Sequence, residues 1–309
     1  MNVLVCGGAG YIGSYLVPKL LADGHKVCVV DTCWFGGTHP DNPQCKWDKK
    51  DLRDWNVFSE WQDAVIYLAS VSNNAMCELN PVLENSCNRI AFAGFRKSAF
   101  LAGVDRFIYA SSVAAYGSSD EDATEETPLR PTTLYGAGKA YCESVVKNYP
   151  NGIIVRSASV CGRSSNMRLD TTLNRMTHDA VRHGRIKVEG GMQKRSHVSL
   201  SDLCDFYRFL LTAPRENVIG QTFNVVDENQ TVENSAMMVA EFTGAEVVQV
   251  PRVDNRSYSV SGTKARELGW EPKFGIRPAV LTMATMMKGG YWPDSLTNEK
   301  MWRMAYDII

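Results

Sequence analysis

Several things are scarce in this sequence. No stretch is rich in lysine or arginine, and 33 basic residues nearly balance 34 acidic ones, leaving a formal charge of −1. A nucleic-acid groove or an anionic membrane surface usually draws on a basic excess. Neither is expected as the main partner. No apolar run approaches the roughly 20 residues a bilayer-spanning helix needs. The opening residues, MNVLVCGGAG, have no basic segment and no small-residue cleavage pattern, so a secretory leader is not expected. Cysteine occurs nine times but never as CxxC, and His178 and His183 are five apart, which misses a shared helical face. No metal site is expected from such spacing. An odd number of scattered thiols suits a reducing, cytoplasmic setting better than a disulfide framework. Repeats, low-complexity tracts and obvious linkers are also missing.

What is present is ordinary in bulk: 309 residues, 44% hydrophobic and 22% charged, ample for a large core. Through the first half, short apolar runs alternate with helical spacing. Residues 2–6, 26–31, 63–70, 105–112 and 152–160 read as strands. Residues 11–24 and 85–103 read as helices, the first carrying Pro18, which implies a kink or a displaced hydrogen bond. Such alternation predicts an α/β fold, a Rossmann-type doubly wound parallel sheet. Beyond about residue 160 the pattern loosens. Helices are predicted over 170–184, 201–213 and 232–244, and strands over 221–226 and 245–250. The expected division is a dinucleotide-binding domain over 1–160 and a smaller C-terminal α/β substrate lobe over 161–309, its chain possibly returning to the first domain.

The segment GGAGYIG holds two overlapping glycine patterns, one through Gly8, Gly10 and Gly13 and one through Gly7, Gly10 and Gly13. After a strand and before a helix, glycines allow a tight turn and a close backbone approach to a pyrophosphate at the helix N-terminus. Asp31 closes the next apolar run, roughly twenty residues on, where a carboxylate holds the adenosine ribose hydroxyls and repels a 2′-phosphate. NAD is therefore expected over NADP. Asp51, in DLRD, sits where an adenine ring would lie, at the end of a third strand.

Tyr135 and Lys139 stand one helical turn apart in LYGAGK. A free phenol titrates near ~10, and a neighbouring ammonium lowers that value, making tyrosine a usable general base. The run YASSVAAYG ends a strand upstream, and strand C-terminal ends are where open α/β sheets bind ligands. Ser112 would project there.

Together, GGAGYIG, Asp31, DLRD, VIYLAS, Asn88, SSVAAYG and YGAGK resemble the extended short-chain dehydrogenase/reductase family, the NAD-dependent epimerase/dehydratase group typified by UDP-glucose 4-epimerase. The resemblance spans essentially the whole chain and is most specific before residue 160. It implies that Ser112, Tyr135 and Lys139 are catalytic. It implies that Gly7, Gly10, Tyr11, Ile12, Gly13, Asp31, Asp51, Leu52, Leu68 and Ala69 line the cofactor, with Asn88, Tyr135 and Lys139 close by. In the second lobe, QKRSHVSLSDL maps Arg195, and DNRSYSVSGTKARELGW maps Arg256, onto arginines that grip a nucleotide diphosphate. Two guanidinium forks suit such a group. Asn166 is a further candidate substrate contact.

The chain also departs from the family pattern. Dehydratases of the group carry an Asp–Glu pair after the central Ser or Thr; here Val113 and Ala114 occupy those places and transfer no protons. The usual asparagine of NVYG is replaced in ASVCG, and LASVSNNAM lacks the lysine of many 4-epimerases. The implied activity is a nucleotide-sugar epimerase acting by transient oxidation at C4. The same trio would serve one-way, NAD(P)H-dependent reduction of a 4-keto nucleotide sugar. A non-catalytic dinucleotide-binding protein is a third possibility, which the intact trio counts against. Relatives commonly form homodimers through two helices of the first lobe.

Overall fold

The structure, a computed structural model, describes residues 1–37, 40–55, 62–118, 121–251 and 257–291. The chain opens with β1 (Asn2–Cys6), α1 (Gly13–Ala22), β2 (Lys26–Asp31), β3 (Cys45–Lys49) and β4 (Ala64–Tyr67). Then come α2 (Asn74–Leu79), α3 (Pro81–Glu84), a π-helical turn over Asn85–Ile90, and α4 (Ala91–Leu101). β5 (Arg106–Ser112), the short β6 (Asp122–Ala123), α5 (Leu134–Lys147) and β7 (Gly152–Ser157) follow.

Seven strands form one sheet, and every pairing in it is parallel. Its order, from one edge, is β3-β2-β1-β4-β5-β7, with β11 (Thr222–Val225) beyond β7. The first six strands have the doubly wound order, which reverses between β1 and β4. Burial explains the near-continuous apolar strands. Val3, Val5, Val27 and Val29 face Leu16 and Leu20 of α1 in one cluster. Leu4, Cys6, Tyr67 and Tyr109 point the other way, onto Phe92 and Phe95 of α4. Tyr67, Phe92, Phe95 and Phe107 meet there with ring centroids 4.9–6.4 Å apart.

The segment expected as one strand over 152–160 is two. β7 ends at Ser157 in the large sheet, and β8 (Ser159–Cys161) crosses into a second sheet. The hinge is Ala158, whose N–H donates to Val225 of β11. The chain continues with α6 (Thr172–His183), β9 (Arg185–Glu189), β10 (Lys194–Ser199), α7 (Leu200–Thr212) and the short α8 (Arg215–Val218). After β11 come β12 (Glu228–Thr231), α9 (Val232–Thr243), β13 (Glu246–Val250), β14 (Ser259–Val260), α10 (Thr263–Glu267) and α11 (Ile276–Lys288). β12, β10 and β8 form a three-stranded sheet; β13 pairs with β9, and β14 with β6.

Two local expectations shift. The helix expected from Ser201 begins one residue earlier, capped by Ser199, whose hydroxyl accepts from the Asp202 N–H. The helix expected over 85–103 opens as the π-turn. Pro18 lies inside α1 as expected, and the carbonyl of Ser14, which a proline four residues on leaves without its helical donor, accepts from the Ser165 hydroxyl at 3.4 Å.

Candidate active site

The site is built at the C-terminal ends of β1, β4 and β5, beside the point where strand order reverses. After β1 the chain turns through Gly7, at φ +83°, a conformation that favours glycine. A Cβ there would lie 2.7 Å from the Ala69 nitrogen, so the turn sits directly against the end of β4. A Cβ on Gly13 would lie 2.5 Å from the Gly7 carbonyl, so glycine lets α1 start this close to the turn. α1 has no side-chain cap and no acidic residue in its first turn. Its N-terminal N–H groups and positive dipole end suit a phosphate.

Asp31 ends β2 beside this turn. One carboxylate oxygen accepts from Ala9 N at 3.0 Å and the other from Cys33 N at 2.8 Å. Burial raises its pKa and the backbone donors work against that rise. The carboxylate keeps lone pairs free for ribose hydroxyls. Asp51 follows β3, as expected, and caps a 3₁₀ turn over Leu52–Asp54. Its carboxylate is also gripped by Arg53 at 2.7 Å. Leu68 and Ala69 continue β4 and are partly buried against the two faces of the core. The glycine turn, uncapped helix, Asp31 and β4 end together fit a dinucleotide.

Ser112 is the last residue of β5, and its hydroxyl accepts from Ala114 N at 3.2 Å. Tyr135 lies in the first turn of α5, which Thr133 caps by accepting from Gly136 N at 3.1 Å. Lys139 is buried one turn further on. Its Nζ donates to the Ala110 carbonyl at 2.7 Å and lies 5.6 Å from the centre of the Tyr135 ring. The ammonium therefore lies between the rings of Tyr135 and Tyr109, 5.0 Å from the centre of the latter. Burial pushes the Tyr135 phenol up to about 12, against which Arg168's charge and a Ser112 hydrogen bond pull. Burial also lowers Lys139 to about 8.

Asn88 is buried in the π-turn, a helical irregularity common at functional sites. Its side chain grips the loop after β4: Oδ1 accepts from Val71 N at 2.8 Å, and Nδ2 donates to Val71 O at 3.1 Å. Val71 in turn belongs to the small apolar cluster against which Tyr135 packs. Asn88 thus shapes the wall beside the phenol.

Tyr11 and Asn166 tie the lobes together. The Tyr11 hydroxyl donates to Gly162 O at 2.7 Å and accepts from Asn174 at 3.1 Å. Asn166, expected as a substrate contact, sends its Nδ2 to Ala9 O at 2.7 Å, inside the glycine turn. Ile12 precedes α1 and is partly buried. Arg195 lies buried on β10, its guanidinium 5.2 Å from the Tyr258 ring centre. Arg256 falls outside the described residues.

One pair was missed by sequence reasoning. Arg168 donates to Asp170 through Nε at 2.9 Å and Nη2 at 2.6 Å, and to the Ser72 hydroxyl at 2.9 Å. Asn73 donates to Asp170 at 2.6 Å. The usable signal was the R-x-D spacing in NMRLD, which suits a forked pair. Among the described residues, no cluster of three or more His, Cys, Asp or Glu could hold a metal.

A doubly wound sheet with a glycine turn, Asp31 and a Ser/Tyr/Lys trio at its C-terminal strand ends defines a dinucleotide-dependent enzyme class. Residues 3–225 match the NAD dependent epimerase/dehydratase family, and the chain belongs to it. It is 29% identical to the UDP-glucose 4-epimerase of Lactobacillus helveticus, over 88% of this chain and 92% of that one. With the Streptococcus mutans UDP-glucose 4-epimerase it shares 28% identity, over 94% and 98% of the two chains. The solved UDP-glucose 4-epimerase of Thermotoga maritima, with UDP-glucose, superposes at a TM-score of 0.82 and 25% identity, covering 94% of this chain and 99% of that one. MoeE5 in complex with UDP-glucuronic acid and NAD has the same fold, at a TM-score of 0.84 and 24% identity, covering 94% and 100%.

Proposed function

We propose that this protein is an NAD-dependent nucleotide-sugar epimerase that inverts C4 of its sugar. The observation that carries it is that Ser112 ends β5, with Tyr135 and Lys139 on α5 against it, one strand from the β4 end that the glycine turn abuts, and that no carboxylate stands at 113 or 114. Bound NAD supplies reversible hydride acceptance. Tyr135, as phenolate, takes the proton of the C4 hydroxyl and later returns it. Ser112 hydrogen-bonds the same sugar oxygen and holds it in line with the phenol. Lys139 keeps a positive charge at the ring face, where phenolate is otherwise costly to form. Val113 and Ala114 move no proton, which leaves the sugar's C5 and C6 untouched.

Gly7, Gly10, Tyr11, Ile12, Gly13, Asp31, Asp51, Leu52, Leu68 and Ala69 line the cofactor, with Asn88 behind. Residues 1–160 bind it and 161–309 bind the sugar nucleotide. Arg195 and Arg256 hold the diphosphate. Asn166 acts indirectly, through the glycine turn. Exposed Val82, Ile90, Leu101 and Tyr141, on α3, the π-turn, α4 and α5, are the apolar side chains there that a second copy would cover. The nine thiols, none in a disulfide, fit a reducing cytoplasm.

The test is a screen of UDP-, GDP-, CDP- and dTDP-sugars with NMR of the product. The expected outcome is interconversion of C4 epimers with no net consumption of cofactor. Tyr135→Phe should lose about 10²–10⁴-fold in kcat, as general-base variants do. Stoichiometric consumption of NAD(P)H would instead identify a reductase. Turnover that survives Tyr135→Phe would overturn the chemistry.

A further inference from the structure

We propose that Arg168, held by Asp170, is a positioning residue for Tyr135: it reaches the loop after β4 from the second lobe and fixes positive charge beside the phenol. The proposal rests on the role given to Tyr135 above. Its first support is geometric. Four of the five guanidinium N–H groups are committed, to both Asp170 oxygens and to the Ser72 hydroxyl and carbonyl, at 2.6–3.2 Å. The Arg168 backbone is fixed as well, since its carbonyl accepts from Asn174 at 2.8 Å. Asn174 also bonds Tyr11 and receives the Gly162 N–H, so one amide locks the arginine to the cofactor turn. A guanidinium tied at this many points keeps its place when the phenol changes charge.

The second support is the company Tyr135 keeps. Arg168 bonds Ser72, the neighbour of Val71 in the apolar cluster against which Tyr135 packs, and at that place its charge pulls the phenol down while Asp170 opposes it. Cys77 on α2, its thiol held un-ionised by burial, also opposes Arg168, and Ser112 offers a hydrogen bond from β5. Tyr109 on β5 and Tyr207 on α7 also lie within its field, both held neutral by burial. Lys139 covers the ring from α5, but burial leaves it able to lose its proton near pH 8. Arg168 is charged at any working pH. It is the permanent cation of the group, and Asp170 both orients it and tempers it. The loop it grips, Ser70–Asn73, carries no cation of its own.

Two variants move the phenol in opposite directions if this is right. Arg168→Met removes the cation, so Tyr135 titrates at higher pH and the acid limb of kcat/KM moves up. Turnover at neutral pH falls about tenfold, the equivalent of one pH unit. Asp170→Asn removes the tempering carboxylate, so both shift down. Arg168→Lys restores charge without the fork and recovers part of the loss. The direct readout is an ultraviolet difference titration of the ligand-free protein, each variant measured against the same variant carrying Tyr135→Phe. Opposite shifts support the proposal. Shifts of the same sign, or none, overturn it, because a brace between lobes moves neither titration. Should Arg168→Met fail to fold, Asp170→Asn decides alone: a downward shift supports, and no shift or an upward one overturns. A protein that turns over no nucleotide sugar would sink the epimerase assignment while leaving the phenol titration readable.

Discussion

Arg156 and Arg168 each grip a carboxylate through Nε and Nη2, the first holding Glu143 and the second Asp170. The shortest contacts are nearly equal, 2.7 and 2.6 Å. Their surroundings are not. Arg156 and Glu143 are each 1% exposed, whereas Arg168 is 19% exposed and Asp170 4%. The first pair is sealed among β5, β7 and α5. Ser111 donates to Glu143, and Arg156 donates to Tyr116, which passes a bond to Asn224 of β11. The second pair bridges the segment before α6 to the loop after β4. One chemistry thus serves two ends: an enclosed pair fastens α5 to the sheet, and a half-open pair lends its field to a reacting group.

The sharpest way to break this comparison is to remove one partner from each pair. Glu143→Gln strands a buried guanidinium, and such losses cost about 3–5 kcal/mol. Urea unfolding should show it. A loss below about 1 kcal/mol would make the pair no stronger than an exposed one. Asp170→Asn should cost less, about 1–2 kcal/mol, because water reaches Arg168 and other acceptors remain.

Lys139 sharpens the comparison from another side, as a buried cation whose hydrogen bond goes to a carbonyl. Its pKa of about 8 lies below the ordinary ~10.4 of lysine because burial disfavours the charge. Above pH 8 the ring-face cation fades, so kcat/KM should fall on the alkaline side, and Lys139→Arg should push that limb higher. Stability runs the opposite way. The unfolded chain binds more protons between about pH 8 and ~10.4, so this group's contribution to folding rises across that window.

The smallest effect at neutral pH belongs to His197, buried on β10 and kept uncharged. Burial and the Arg195 charge lower it to about 3. Its contribution to stability is complete above ~6.5 and drains away as pH falls through 6.5 toward 3. His197→Asn should flatten the acid limb of a urea-midpoint series and leave pH 8 nearly unchanged.

Much of this was legible in the residues. Strand–helix alternation named the sheet, because buried parallel strands must be apolar on both faces. The glycine turn, Asp31 and the Ser/Tyr/Lys trio were visible because their chemistry is local, set by spacing on one turn or one strand end. The Glu143–Arg156 spine was not, since it joins positions on different elements and neither residue looks unusual in its own segment. Arg168 and Asp170 share one short segment, but the reach of that arginine to Ser72 in the loop after β4 depends on how distant segments meet. Asn166 was noticed two residues earlier in the same loop, but its target, the Ala9 carbonyl, depends on how the lobes meet. Helical spacing put Lys139 on the face it shares with Tyr135, but the carbonyl its long stem reaches, that of Ala110, lies on another element. The break at Ala158 was invisible because both halves of the run are equally apolar.

The return of β11 to the large sheet has a consequence for anyone wishing to cut this protein in two. The strand that completes the large sheet is made only after the chain has left it to build the smaller sheets, and it supplies Asn224 to the Arg156 network. A fragment ending at residue 160 would present β7 as a raw, apolar edge, the kind that recruits neighbouring chains. The two parts of the chain are therefore not interchangeable cassettes: a chimera that grafts a foreign segment after β8 must supply the seventh strand of the large sheet.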